Sequence, residues 1–192
     1  MTASTTPGKN SIAAYDCAII GGGVAGLTLA IQLARAGRRV VLFEKEKYPF
    51  HRVCGEYIST ENYDFLCRIG MPLAEMDLPK MDLPKMTLFT VSSSTGVALY
   101  HPLDIGGVGI SRYQLDQLLA QLARQYGAHV QERTKVTDVV FANDQFTLTT
   151  AGGTTYQARL TCGAWSKHAN LDSKLQRPFL ELGRKEHQFV AA

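Results

Sequence analysis

No apolar run in this 192-residue sequence approaches the roughly 18 residues of a membrane-spanning helix, so no integral membrane segment is expected. Cysteine is scarce and unpatterned. Cys17, Cys54, Cys67 and Cys162 show no C-x-x-C spacing and have no histidine at metal-ligand spacing, so no metal site is expected and a reduced, cytoplasmic protein is. Charge of one sign is nearly lacking too, the formal net charge being +3. The densest basic group, Arg35, Arg38, Arg39, Lys45 and Lys47, is interrupted by Glu44 and Glu46. It reads as a solvated rim, and no nucleic-acid partner is expected, because no basic stripe with interleaved aromatics occurs. His51, His101, His129, His168 and His187 stand in no partnered arrangement, so no acid or base is assigned. Residues 1–14 lack an apolar core of the signal-peptide kind and read as a flexible tail before a single domain over 15–192. The apolar fraction, 45%, is enough for a core and excludes disorder.

What is present is concentrated between Asp16 and Glu44. Asp16-Cys17-Ala18-Ile19-Ile20 reads as a strand apolar on both faces, as in a helix-covered parallel sheet. Gly21-Gly22-Gly23-Val24-Ala25-Gly26 follows, then a helical run to Ala36 with Leu27, Ala30, Ile31 and Ala34 on one face, and Gly37 as its terminator. Val40-Val41-Leu42-Phe43 is a second strand ending on Glu44. In this context G-x-G-x-x-G is a dinucleotide fingerprint. Gly21 permits the tight turn, Gly23 lets backbone approach a pyrophosphate, and Gly26 lets the helix pack close to the strand. The helix amides at Val24 and Ala25 would face the diphosphate, and the Glu44 carboxylate could accept both ribose hydroxyls of an adenosine.

Pro49 and Gly55 mark 45–59 as a structured loop, from which Arg52 could reach the diphosphate. Ser59 or Thr60 is expected to cap a short helix through Phe65, Leu66 and Ile69. Met76-Asp77-Leu78-Pro79-Lys80 is repeated at once as Met81-Asp82-Leu83-Pro84-Lys85, a duplication too short for a solenoid and without a functional account. Residues 86–91 and 97–100 flank a Ser/Gly turn and read as a hairpin. Ser111 and Gln114 match a capping box opening a helix whose Leu115, Leu118, Leu119 and Leu122 form a core stripe. Arg112 in its first turn gains nothing from the helix dipole, which favours a ligand role. A parallel strand at 128–132 and an antiparallel meander over 135–141, 146–150 and 155–161 complete an α/β, Rossmann-like domain.

Four stretches together resemble the FAD-dependent monooxygenase superfamily, especially its geranylgeranyl-reductase-like and flavin-dependent halogenase branch: 15–26, Glu44, the Phe50-His51-Arg52-Val53-Cys54-Gly55-Glu56 loop, and Ile110-Ser111-Arg112. The resemblance covers roughly 16–164 and only the N-terminal half of a typical member. It implies FAD as cofactor and oxidoreductase chemistry on a small-molecule substrate. The ADP half would lie on Gly21, Gly23, Val24, Ala25, Gly26, Glu44 and Lys45, the diphosphate or ribityl region on Arg112 and Arg52, and adenine against Val136. The resemblance also implies NAD(P)H as reductant, and a Gly-Ala-Asp-Gly-x-x-Ser motif after the meander whose aspartate is linked to cofactor and NAD(P)H handling. Here Trp165, Ser166 and Ala169 replace its Asp, Gly and Ser, and no Gly-Asp dipeptide occurs for the later ribityl motif. The expectation is therefore a shortened FAD-binding domain, inactive alone, with a partner possible for the missing half. The alternatives are a non-catalytic nucleotide-binding fragment and an NAD-binding dehydrogenase domain.

Overall fold

The computed structural model describes residues 15–52, 56–71, 85–165 and 171–177. Its centre is β1 (Tyr15–Ile20), whose residues alternate between two cores: Cys17 and Ile19 face one, Ala18 and Ile20 the other. The neighbouring parallel strand β2 (Val40–Phe43) does the same, with Val40 and Leu42 on one side and Val41 and Phe43 on the other. All four β2 residues are buried, which is why both strands read as continuous apolar runs.

Between them lies α1 (Val24–Arg35), which buries Leu27, Ala30, Ile31 and Ala34 against the first core, as the spacing predicts. Gly37, at φ +73°, ends it in the left-handed conformation. The same core takes α3 (Arg112–Gln125), through Leu115, Leu119, Ala120, Leu122 and Ala123. Leu119 is fully buried, and its truncation to alanine would cost about 2–5 kcal/mol. The Ser111 hydroxyl accepts from the Gln114 amide at 3.2 Å, so the cap stands where the sequence places it.

The expected parallel strand is β6 (His129–Gln131), paired with β2. The meander is β7 (Val136–Ala142), β8 (Gln145–Thr150) and β9 (Thr155–Gly163). Because β9 runs parallel to β1, the six strands form one sheet in the order β6-β2-β1-β9-β8-β7. Beyond them, α4 (Leu171–Lys174) sets Leu171 into the second core.

A separate three-stranded antiparallel sheet, β3-β5-β4, comprises β3 (Tyr57–Ser59), β4 (Lys85–Ser92) and β5 (Ala98–Gly109). Here the structure departs from expectation. Tyr57–Ser59 is a strand, not loop, because its backbone pairs with Gly107–Gly109. The hairpin strand β5 runs on through the glycines to Gly109, held by a register shift between Met86 and Leu88. Ser59, taken into that pairing, makes no side-chain cap; a 3-10 turn (Thr60–Asn62) leads into α2 (Tyr63–Arg68) instead. The five-residue repeat, save Lys85, and the tail over 1–14 lie outside the described residues, as do Ser166 and Ala169 of the departed motif. Among the described residues no helix is long and apolar enough to cross a membrane.

Candidate glycine-turn site

The turn between β1 and α1 is built by three glycines with three different constraints. Gly21 adopts φ +110°, and a side chain on it would collide with the backbone of Ala164 and Trp165 that follows β9. A Cβ on Gly26 would strike the Gly21 carbonyl, which is the close helix–strand approach the fingerprint requires. Gly23 differs. Its backbone is extended (φ −84°, ψ −176°), and among the described residues a Cβ there would meet no atom nearer than Arg112 Nη2 at 3.6 Å. Among the described residues, neither conformation nor packing demands glycine at 23. The open space in front of it lies at the start of α1, where the first helical amides have no intrahelical acceptor and Gly23 offers no side-chain cap.

Around this space stands a chain of four charged groups. Glu44, only 4% exposed, accepts the Gly22 amide (2.9 Å) and Arg52 Nη2 (2.7 Å) on Oε2, and the Glu46 amide (3.1 Å) on Oε1. Arg52 reaches on through Nε to Asp116 Oδ2 at 3.1 Å, its guanidinium lying over the Phe50 ring. Asp116 also receives Arg112 in a fork, Nε to Oδ1 at 2.9 Å and Nη2 to Oδ2 at 2.8 Å. Below them the Tyr48 hydroxyl donates to the Gly22 carbonyl at 2.5 Å. Burial, then the nearby Glu44 and Asp116 carboxylates, push the Tyr48 phenol well above its usual 10.0.

Of the residues singled out in the sequence, the structure brings Gly21, Gly23, Gly26, Glu44, Arg52 and Arg112 to one place. Val24 is half-buried and Ala25 exposed at the mouth of α1. Lys45 follows Glu44 with its side chain exposed. Val136 opens β7 but is 5% exposed, sitting in the second core with Phe43 and Leu148. Glu44 already carries three hydrogen bonds. A carboxylate offers about four acceptor positions, so Oε1 has room for one ribose hydroxyl, and a second needs Arg52 or an amide to yield. Two site residues went unforeseen, Tyr48 and Asp116. Asp116 did leave a signal: it follows Arg112 by four and shares the apolar face of α3 with Leu119, Ala120 and Ala123.

Elsewhere, β3, β4, β5, α2 and the start of α3 line an open apolar pocket of about 350 Å³, with Ile58, Leu66, Met71, Val108, Ile110 and Leu115 on its walls. Tyr15 and His129 are tied by a 2.8 Å hydrogen bond, and His51 stacks on Tyr113. Among the described residues no cluster of histidine, cysteine and carboxylate side chains could hold a metal ion.

Residues 16–52, the segment holding the turn and Glu44, match the family described as FAD dependent oxidoreductase. Over that segment the chain is similar to the FAD dependent oxidoreductases. It is 32% identical over 136 residues to conditioned medium factor receptor 1 of Dictyostelium discoideum, across 66% of this chain and 27% of that protein. It is 29% identical over 146 residues to the flavin-dependent halogenase armH3 of Armillaria mellea, across 69% of this chain and 27% of the halogenase. Among solved structures, the flavin-dependent halogenase CmlS superposes with a TM-score of 0.71 at 26% identity, covering 86% of this chain and 32% of CmlS. The chain thus spans about a quarter to a third of the length of these relatives.

Proposed function

We propose that this chain carries the ADP-binding part of an FAD site in an oxidoreductase of the monooxygenase, reductase or halogenase kind. The observation that carries the reading is Gly23 at the start of α1, where a Cβ would meet no described atom nearer than Arg112 Nη2 at 3.6 Å; a ligand that approaches this backbone would account for the glycine. Helix amides on one side and two arginines on the other make that ligand an anion. The buried carboxylate of Glu44 at the end of β2 adds an acceptor for a sugar hydroxyl, and diphosphate next to ribose is the ADP half of a dinucleotide. Val136 would lie near adenine through the backbone at the start of β7.

The family match favours FAD over NAD. The architecture agrees, because after β6 the sheet continues as an antiparallel meander rather than as the βαβ units of a plain NAD domain. FAD when bound supplies the redox chemistry; these residues bind it and orient it. In this reading the groups that enclose the flavin ring come from polypeptide outside these 192 residues, on the same chain or on a partner.

The experiment is an FAD titration followed by flavin fluorescence and calorimetry, on the native chain and on Glu44→Ala. Loss of a charged acceptor is worth about 1.5–3 kcal/mol, so the variant should bind FAD about tenfold to a hundredfold more weakly. A native chain that takes up no flavin, or a variant with an unchanged Kd, would overturn the assignment.

A further inference from the structure

We infer that Asp116 is the positioning residue of this site, holding the Arg52 and Arg112 guanidinium groups side by side above the glycine turn so that both meet the diphosphate. The inference rests on the dinucleotide reading above and names a residue which that reading does not use.

Asp116 is out of place as a structural residue. Its side chain is 1% exposed on the apolar face of α3, beside Leu115, Leu119 and Ala120, where a leucine would pack and a carboxylate must be compensated. The compensation comes from two cations on separate pieces of chain, Arg52 after β2 and Arg112 at the start of α3. Both of its oxygens are used, three hydrogen bonds in all among the described residues. The Arg112 fork fixes that guanidinium's plane as well as its place, and puts Nη2 3.6 Å from where a Cβ on Gly23 would lie. Arg52, held at one end by Asp116 and at the other by Glu44, is fixed as firmly. An arginine that must find a diphosphate from a loop loses side-chain freedom on binding; one already locked does not.

A competing account of the same geometry makes the opposite prediction. If Asp116 merely neutralises two arginines, removing its charge leaves a stronger positive field and tighter anion binding. If it positions them, removing it weakens the diphosphate contact and spares the nucleoside.

The test is binding of ADP and of adenosine to the 192-residue chain and to Asp116→Asn, by calorimetry and ligand-observed NMR, with circular dichroism to confirm folding. The expected result is a loss of about tenfold or more for ADP with adenosine affinity unchanged. On an Arg112→Lys background the further loss from Asp116→Asn should shrink, because the fork it supports is gone. Unchanged or tighter ADP binding, or equal losses for ADP and adenosine, overturns the positioning role. Native chain that binds no ADP instead removes the dinucleotide reading itself, and this inference with it. Should Asp116→Asn fail to fold, Arg112→Lys alone decides. It keeps the charge and loses the fork, so its ADP affinity must fall while adenosine binding holds, and an unchanged ADP affinity sinks the proposal.

Discussion

At the scale of single residues, adjacent glycines in this turn do unlike jobs, and substitution separates them. A Cβ at Gly22 would run into the Tyr48 hydroxyl and lie 2.9 Å from Glu44 Cβ. Gly22→Ala should therefore lower the melting temperature whether or not ligand is present, by the 1–3 kcal/mol typical of about one overpacked methyl. A Cβ at 23 meets no such obstacle among the described residues, and the extended backbone suits a β-branched residue. The valine protein should keep its circular dichroism and its melting temperature while losing FAD. Flavin retained by Gly23→Val would mean that the space at 23 is not a ligand's. The contrast was only half visible in the sequence. G-x-G-x-x-G announces three glycines with ligand and packing roles, whereas the constraint on Gly22 arises from Tyr48, 26 positions away, which no local spacing reports.

At the scale of elements, α3 links packing to the site, since one helix carries the Leu119 side chain into the core and the Asp116 side chain to the arginines. Its start is fixed by the Ser111 cap. Ser111→Ala should cost about 1 kcal/mol of stability, read as a shifted denaturation midpoint with an unchanged slope. Because Arg112 is the first residue of the helix, fraying there should also weaken ADP binding modestly; a variant that loses stability with no change in ADP affinity would uncouple the two. Periodicity made α1, α3 and the central strands legible, because burial on one or both faces writes itself into the spacing of apolar residues. It could not show β3 or the far end of β5. Three residues give too short a pattern, and Gly106, Gly107 and Gly109 have no side chains with which to alternate. Nor could it show the four-group charge chain, whose members lie at 44, 52, 112 and 116 and meet only through the fold.

For the molecule as a whole, Cys17 and Tyr48 are two of the groups through which stability should depend on alkaline pH. Burial, then the neighbouring Cys162, push the Cys17 thiol from 9.0 up to about 12, and burial raises the Tyr48 phenol as well. Both are protonated in the folded state at pH values where the unfolded chain has begun to lose its protons. The Cys17 contribution is thus complete below pH 9.0 and is lost as pH rises towards about 12, while that of Tyr48 begins to fall only above 10.0. Melting temperature should fall across that window, and Cys17→Ala should flatten the fall. A variant with the same pH profile as the native chain would show that other groups govern it. Turnover is the second whole-molecule question. Because the chain spans about a quarter to a third of its relatives' length, NADH or NADPH oxidation by the 192-residue chain with FAD should not exceed that of free FAD. Sustained oxidation well above that background would show that these residues suffice for catalysis.

The position of the single tryptophan has an optical consequence. Trp165 folds back over Gly163, its indole nitrogen bonded to Asp172, and its own amide lies within 2.9 Å of where a side chain on Gly21 would project. The chain's only indole fluorophore thus lies over Gly163, one turn of backbone from the fingerprint glycines. Flavin absorbs where tryptophan emits, so occupancy of the turn should be readable as quenched emission in the unlabelled protein, ligand by ligand. ADP, which has no such absorption, supplies the control that separates energy transfer from a change in the indole's surroundings.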